Sequence, residues 1–266
     1  MRRIGRSVAG ALTLAALVVG QASIGTTASR HAQGYSFRTI DPPGSVSTFL
    51  FGINARGDIV GQSTDAAGAT QAFLLSRGRL RVIRVPGAAA TRARGINSWR
   101  EIVGVYSGGH GFLLRRGRFT QLDFPGACAT LPNAINDARD IVGDYGVGTC
   151  DGTEEHHGFR LRDSTYSTLD DPDGAYQYVT VPYGINARGR VVGTYDDAAG
   201  LTHGFLLRRG TFTDIDAPDA FGVTRCFGIN VRGWIVGDYF DAAGVRHGFL
   251  TDFALAVNGP CGARQS

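Results

Sequence analysis

Three residue types recur at matched places in this chain and could do chemistry together. Tyr106, Tyr145, Tyr195 and Tyr239 are each followed, across a short turn, by a histidine: His110, His157, His203 and His247. Asp123, Asp170 and Asp216 close the next segment, and Asp41 holds that place near the front of the chain. A Tyr–His–Asp set could relay a proton or hold a metal. Catalysis needs one copy, however, and four copies point to buried polar groups satisfying one another. The set is therefore read as a structural network. One copy departs at all three positions, with Ser63, Gln71 and Arg84.

Two further groups are candidates for a unique site. Glu154, Glu155, Asp171 and Asp173 are the clustered carboxylates, and glycoside hydrolysis needs two carboxyl groups flanking one bond. They are weak catalytic candidates, because no nucleophile motif or phosphate loop accompanies them. Thr48, Thr91, Thr130, Thr180 and Thr224 each stand six residues before a recurring Asn. Their hydroxyls could ring a concave mouth where ligands bind, or each could bond a nearby backbone group. With Tyr176 and Tyr178, from the long aromatic loop Asp171–Tyr178, they form the ligand-binding candidates. No cofactor is implied, and no cysteine or histidine spacing fits a zinc site.

The elements that must position these residues are repeats. The stretch Tyr183-Gly-Ile-Asn-Ala-Arg-Gly-Arg-Val-Val-Gly193 has close copies starting at Phe51, Arg94, Asn133 and Phe227, a spacing of 43, 39, 50 and 44 residues. That is the period of one small sheet per repeat. In the fourth copy, Tyr183–Asn186, Val191–Asp196, Leu201–Leu207 and Thr211–Asp216 read as strands A to D. The turns Asn186–Gly189, Asp197–Gly200 and Arg208–Gly210 suit hairpins with a glycine bulge. Such meanders must pack face to face, so the expected fold is all-β, a five-bladed β-propeller of four-stranded antiparallel blades. Phe37–Gly44 matches strand D, whereas no good strand D follows Leu250. The front strand is expected to pair with the last blade and close the ring, although Phe253–Val257 is a local substitute. The propeller domain is placed at residues 35–257, with a tail at 258–266.

The recurrence of Gln71-Ala-Phe73, His110-Gly-Phe112, His157-Gly-Phe159, His203-Gly-Phe205 and His247-Gly-Phe249 after the Asn hairpin resembles the HAF-repeat family of probable extracellular bacterial proteins. The resemblance spans roughly Phe37 to Phe249. It implies secretion and repeat architecture and carries over no catalytic residue.

Arg2, Arg3 and Arg6 before the apolar run Val8–Val19 read as a secretion signal, too short to span a bilayer. Cleavage is expected after Ala22, or as late as Ala32, leaving no membrane span in the mature chain. Of 27 basic residues, all Arg, three leave with the signal, so 24 face 23 acidic ones. That balance does not argue for nucleic-acid binding, and no nucleic-acid partner is expected. The four cysteines of an exported chain are expected to pair as Cys128–Cys150 and Cys226–Cys261, each closing a short loop.

Turns sort the charges. The A–B and C–D turns bring arginines to one face (Arg56, Arg100, Arg139, Arg188 and Arg232 among them), diluted by Asp58, Glu101 and Asp140. The B–C and D–A connections bring carboxylates to the other. The reading is a secreted monomer, extracellular or periplasmic, that binds a glycan or cell-surface partner through its acidic face and channel mouth. A carbohydrate-active hydrolase or lyase and a structural envelope component are the alternatives.

Overall fold

The computed structural model describes residues 40–175 and 178–252. The signal segment, the front strand at Phe37, Phe253–Val257, the tail with Cys261, and Tyr176 lie outside the described residues. The expected ring closure and cleavage site therefore fall outside them as well. The chain divides into two units, Met1–Asp41 and Pro42–Ser266, and every described strand belongs to the second.

Blade 1 is β1 (Ser45–Ile53), β2 (Ile59–Asp65), β3 (Thr70–Ser76) and β4 (Arg79–Ile83). Blade 2 is β5 (Thr91–Ile96), β6 (Ile102–Tyr106), β7 (His110–Arg115) and β8 (Arg118–Leu122). Blade 3 is β9 (Ala129–Ile135), β10 (Ile141–Val147), β11 (Glu155–Arg162) and β12 (Thr165–Thr168). Blade 4 is β13 (Val181–Ile185), β14 (Val191–Asp196), β15 (Thr202–Arg208) and β16 (Thr211–Ile215). Blade 5 has three strands among the described residues: β17 (Thr224–Ile229), β18 (Trp234–Phe240) and β19 (Arg246–Asp252). Every sheet is an antiparallel meander, and together they form a five-bladed β-propeller. Among the described residues no helix is long and apolar enough to cross a membrane.

The motif's small residues are set by close backbone approach. A Cβ on Gly61, Gly104, Gly143, Gly193 or Gly237 would stand 1.9–2.2 Å from a carbonyl oxygen of the bulged inner strand beside it. A Cβ on Gly95 would meet Ala134 Cα of the next blade at 2.8 Å. The β-branched pair before each glycine fills the space between blades: Val103, Val142, Val191 and Val192 are fully buried.

The motif Asn does two things. Its Oδ1 accepts turn N–H groups, as Asn186 does from Arg188 and Arg190. Its amide also donates to the carbonyl of the next motif Asn. Asn54 reaches Asn97 at 3.0 Å, Asn97 reaches Asn136 at 3.2 Å, Asn136 reaches Asn186 at 3.2 Å and Asn186 reaches Asn230 at 2.9 Å. The blades are thus laced along one rim, satisfying groups that packing would otherwise strand.

Cys128 and Cys150 form a disulfide that pins the β10–β11 insertion to the loop before β9. Cys226 is a free, fully buried thiol packed with Val192, Leu206 and Ile235. Its side chain belongs to the core between blades 4 and 5 and does not carry the expected second bridge. Burial pushes its pKa up to about 12.

Candidate functional site

The repeated Tyr–His pairs face each other across β-ladders as expected, at Tyr106–His110, Tyr145–His157, Tyr195–His203 and Tyr239–His247. Their ring centroids stand 5.1–5.5 Å apart. The Asp completes the set in three blades: Asp123, Asp170 and Asp216 lie 2.8–3.0 Å from the Nδ1 of His110, His157 and His203. In blade 5 the partner changes, and His247 Nε2 meets turn residue Asp241 at 3.0 Å. Each set closes on itself within its blade. Among the described residues no group of three or more His, Cys, Asp or Glu is placed to hold a metal.

The threonines do not form a binding ring. Thr91, Thr130, Thr180 and Thr224 are at most 4% exposed, and each hydroxyl accepts a backbone N–H. The donors are Val85, Phe124, Asp171 and Ala217, at 2.7–3.2 Å. Thr48 instead lies 3.3 Å from the Ser45 hydroxyl. A Thr at the start of each inner strand lies within reach of the loop that has just crossed from the blade before, so the hydroxyl shapes that loop.

The weak carboxylate candidates are spread over separate local roles. Glu154 accepts from Gly152 N at 3.1 Å, and Glu155 lies 3.8 Å from His157 Nε2. Asp171 is buried and accepts from Asp173 N at 3.1 Å, capping its own turn while Asp173 stays exposed. Burial pushes the Asp171 pKa up.

The aromatic loop Asp171–Tyr178 meets the first residues of β11, just after the β10–β11 insertion. Val179 N donates to His156 O at 3.0 Å, and the His156 ring stacks on Tyr178 at 5.1 Å. His156 Nδ1 lies 2.9 Å from buried Asp144. That hydrogen bond raises the His156 pKa, against the effect of burial.

From Asp144 the network runs into the centre of the ring. Asn133 donates to Asp144 Oδ1 and to Pro182 O, both at 3.0 Å, and Arg94 donates to Asn133 Oδ1. Burial lowers the Arg94 pKa, while the nearby Asp144 carboxylate opposes the shift. Arg94 and Asn133 occupy the position just before the small residue of each inner strand. The other blades place Phe51, Tyr183 and Phe227 there, with Tyr183 edge-on to Phe227 at 5.4 Å. All five line one central cavity of about 680 Å³.

That cavity is bordered by the inner strands and the motif Asn residues, so it opens on the A–B turn face. Sequence reasoning placed the mouth on the opposite, acidic face. A signal for this cavity was present: one residue varies in type within a frame that otherwise repeats. Trp234, Phe51 and Phe227 leave 43%, 47% and 38% of their surface exposed here. The other tryptophan, Trp99, is exposed on an A–B turn of the same face and donates to Asp137 O at 3.2 Å. Asp137 is the one carboxylate among the described residues lining the cavity.

No protein-family model and no curated protein matches this chain. Among solved structures it is similar to a subtype N11 neuraminidase-like protein of A/flat-faced bat/Peru/033/2010 (H18N11). That match has 12% identity and a TM-score of 0.45, and covers 79% of this chain and 88% of that one. A gluconolactonase from Xanthomonas campestris matches at 15% identity and a TM-score of 0.45, with 77% of each chain covered. A lectin from Burkholderia pseudomallei matches at 11% identity and a TM-score of 0.42, covering 80% of this chain and 71% of that one. Likenesses this loose say nothing about ligand or chemistry.

Proposed function

We propose that the protein is an exported binding module that takes the end of a glycan chain into its central channel from the A–B turn face. The observation that carries this reading is the single cavity of about 680 Å³ lined by the five variable positions Phe51, Arg94, Asn133, Tyr183 and Phe227. Its volume lies within the range of small-molecule sites, and its lining mixes apolar faces with a few fixed donors. Aromatic faces stack on the C–H face of a sugar ring, and the Arg94 guanidinium, oriented by Asn133, supplies donors for hydroxyl or carboxylate oxygens. The Cys128–Cys150 disulfide fits an oxidising compartment, in keeping with export. The module acts as a monomer, and the Tyr–His–Asp sets serve only to hold each blade.

A glycan array probed with the full mature chain tests the reading. Trp234→Ala and Tyr183→Ala are expected to weaken every hit by about tenfold or more, since anchor residues dominate such sites. Thr180→Val is expected to leave the pattern of hits unchanged. Hits that survive both aromatic substitutions at full strength would place the binding site elsewhere.

A further inference from the structure

Among the described residues lining the channel, Arg94 is the one cation and Asp137 the one carboxylate. Asp137 is engaged on its own turn, where its Oδ1 accepts from Ser98 N at 2.7 Å. Arg94 forms no ion pair among the described residues, and its one hydrogen bond there goes to Asn133 Oδ1. A guanidinium carries five N–H donors, so most of the fork has no acceptor among them. Asn133 has nothing further to offer, since its amide donates to Asp144 Oδ1 and to Pro182 O. A half-buried cation left without a paired carboxylate is costly, and sites that take charged ligands are where such groups are kept.

The carboxylate behind Asn133 is held from its other side. Asp144 and Asp238 follow the repeated glycine in blades 3 and 5, and both are buried. They stand opposite Gly158 and Gly248, each two residues after a basic side chain. In blade 5 that side chain is Arg246, which joins Arg225 on Asp238. In blade 3 it is His156, with Nδ1 2.9 Å from Asp144 Oδ2. Blade 5 thus balances its carboxylate at every pH, and blade 3 does so only while His156 is protonated. The groups facing His156 are Asp144 on β10, Glu154 in the insertion and the Tyr178 ring. The bond to Asp144 raises the His156 pKa, and the Glu154 charge adds to that. Those facing Arg94 are Asp144, Tyr183 and Arg92.

We propose that the glycan end taken by the channel carries a carboxylate, held by Arg94, and that His156 sets its affinity through Asp144. This rests on the channel reading above and names its ligand class. A carboxylate suits the site because the planar fork takes it by two parallel bonds, and one cation balances one charge. With His156 protonated, Asp144 is balanced and the Arg94 charge is left for the ligand. With His156 neutral, the Asp144 charge acts on Arg94 and opposes an incoming anion. Affinity is therefore full below 6.5, down to the ligand's own carboxylate range, and falls as pH climbs through the raised His156 value.

The test titrates the full mature chain with glycans ending in a uronic acid or a sialic acid, each beside its carboxyl-reduced counterpart, and with a sulfate-ended glycan. At least one acid-ended glycan is expected to bind about tenfold or more tighter than its reduced counterpart. Its affinity is expected to drop about threefold or more between about pH 5.5 and about pH 8.5. Arg94→Gln should bring it down to the level of the reduced glycan, with a thermal melt checking the fold. His156→Arg copies the Arg246–Asp238 pair of blade 5 and should keep the low-pH affinity across the range, whereas His156→Gln should keep the high-pH affinity. Acid-ended glycans bound no better than reduced ones, with both lost in Trp234→Ala, would overturn the inference and leave the channel reading standing. Acid-ended glycans bound at full strength by Trp234→Ala and Tyr183→Ala would overturn both. Undiminished binding by Arg94→Gln, tightest binding of the sulfate-ended glycan, or an unaltered pH profile in the two His156 variants would each overturn the inference alone.

Discussion

Blades 2 to 4 and the outward flanks of blades 1 and 5 carry the same residues in different surroundings. The motif isoleucine is 7%, 5% and 9% exposed at Ile96, Ile135 and Ile185, but 68% exposed at Ile53. The valine before the repeated glycine is fully buried at Val60, Val103, Val142 and Val192, but 49% exposed at Val236. Ile53 belongs to the first blade of the chain and Val236 to the last. The Asn lacing shows the same break. It runs from Asn54 through to Asn230, and among the described residues no such bond returns from Asn230 to Asn54. Burial here comes from the neighbouring blade and not from the blade itself. Stability is thus close to a sum of nearest-neighbour junctions, as in other repeat architectures.

The sharpest way to break that comparison is a pair of core truncations followed by urea denaturation. Phe159→Ala, between blades 2 and 3, is expected to cost about 3–5 kcal/mol, and Ile135→Ala about 2–4 kcal/mol. Ile53→Ala, the same residue at the exposed flank, is expected to stay within about 0.5 kcal/mol. A cost at Ile53 equal to that at Ile135 would mean that something covers the flank in solution. The disulfide offers a second contrast, since only blade 3 carries one among the described residues. Replacing Cys128 and Cys150 by Ser, a bridge across a sequence separation of 22, is expected to cost about 3 kcal/mol by loop entropy. Cys226→Ser should expose no additional free thiol and should cost stability through its buried hydroxyl.

Smaller effects test the lacing and the clamps. Asn136→Ala removes both a turn acceptor and a cross-blade donor, so it is expected to cost about 1–3 kcal/mol. Asn230→Ala removes the turn acceptor without a cross-blade bond and should cost less. A comparison by thermal melts would sink the lacing account if the order were reversed. For pH, burial alone would raise the Asp140 pKa, but the Arg162 and Arg160 bonds hold it down at about 2. Its contribution is therefore present above the ordinary carboxylate range and lost as pH falls toward about 2. Asp140→Asn should flatten the acid limb of the stability profile. His156 has the opposite sign: its pKa is raised by Asp144, so its contribution is present below 6.5 and fades as pH climbs through the raised value.

Much of this was legible in the residues. Spacing gave the blade count, glycine bulges gave the hairpins, and recurrence grouped each Tyr with the His across the short turn. What failed was geometry that depends on a neighbouring blade. The motif Asn announces its turn, but its second hydrogen bond crosses to residues 39–50 positions away, which no local pattern encodes. Asp58, Glu101 and Asp140 looked like dilution of an arginine ring. They are instead buried ion-pair partners: Arg100 reaches Asp58 and Arg139 reaches Glu101 from left-handed positions (φ 60° and 68°) where other copies have Gly57 and Gly189, while Arg160 and Arg162 hold Asp140. The threonines recur for the sake of a loop. The channel residues went unremarked because they differ from blade to blade, and that difference was itself the clue.

The most direct measurement uses the chain's own fluorescence. In Trp99→Phe, Trp234 is the sole tryptophan, and it lines the channel. Titration with an oligosaccharide that the array identifies is expected to give a saturable emission shift from Trp234, and adding Tyr183→Ala should remove it. A ligand that binds at full affinity and leaves the Trp234 emission unchanged would contradict the channel as the site.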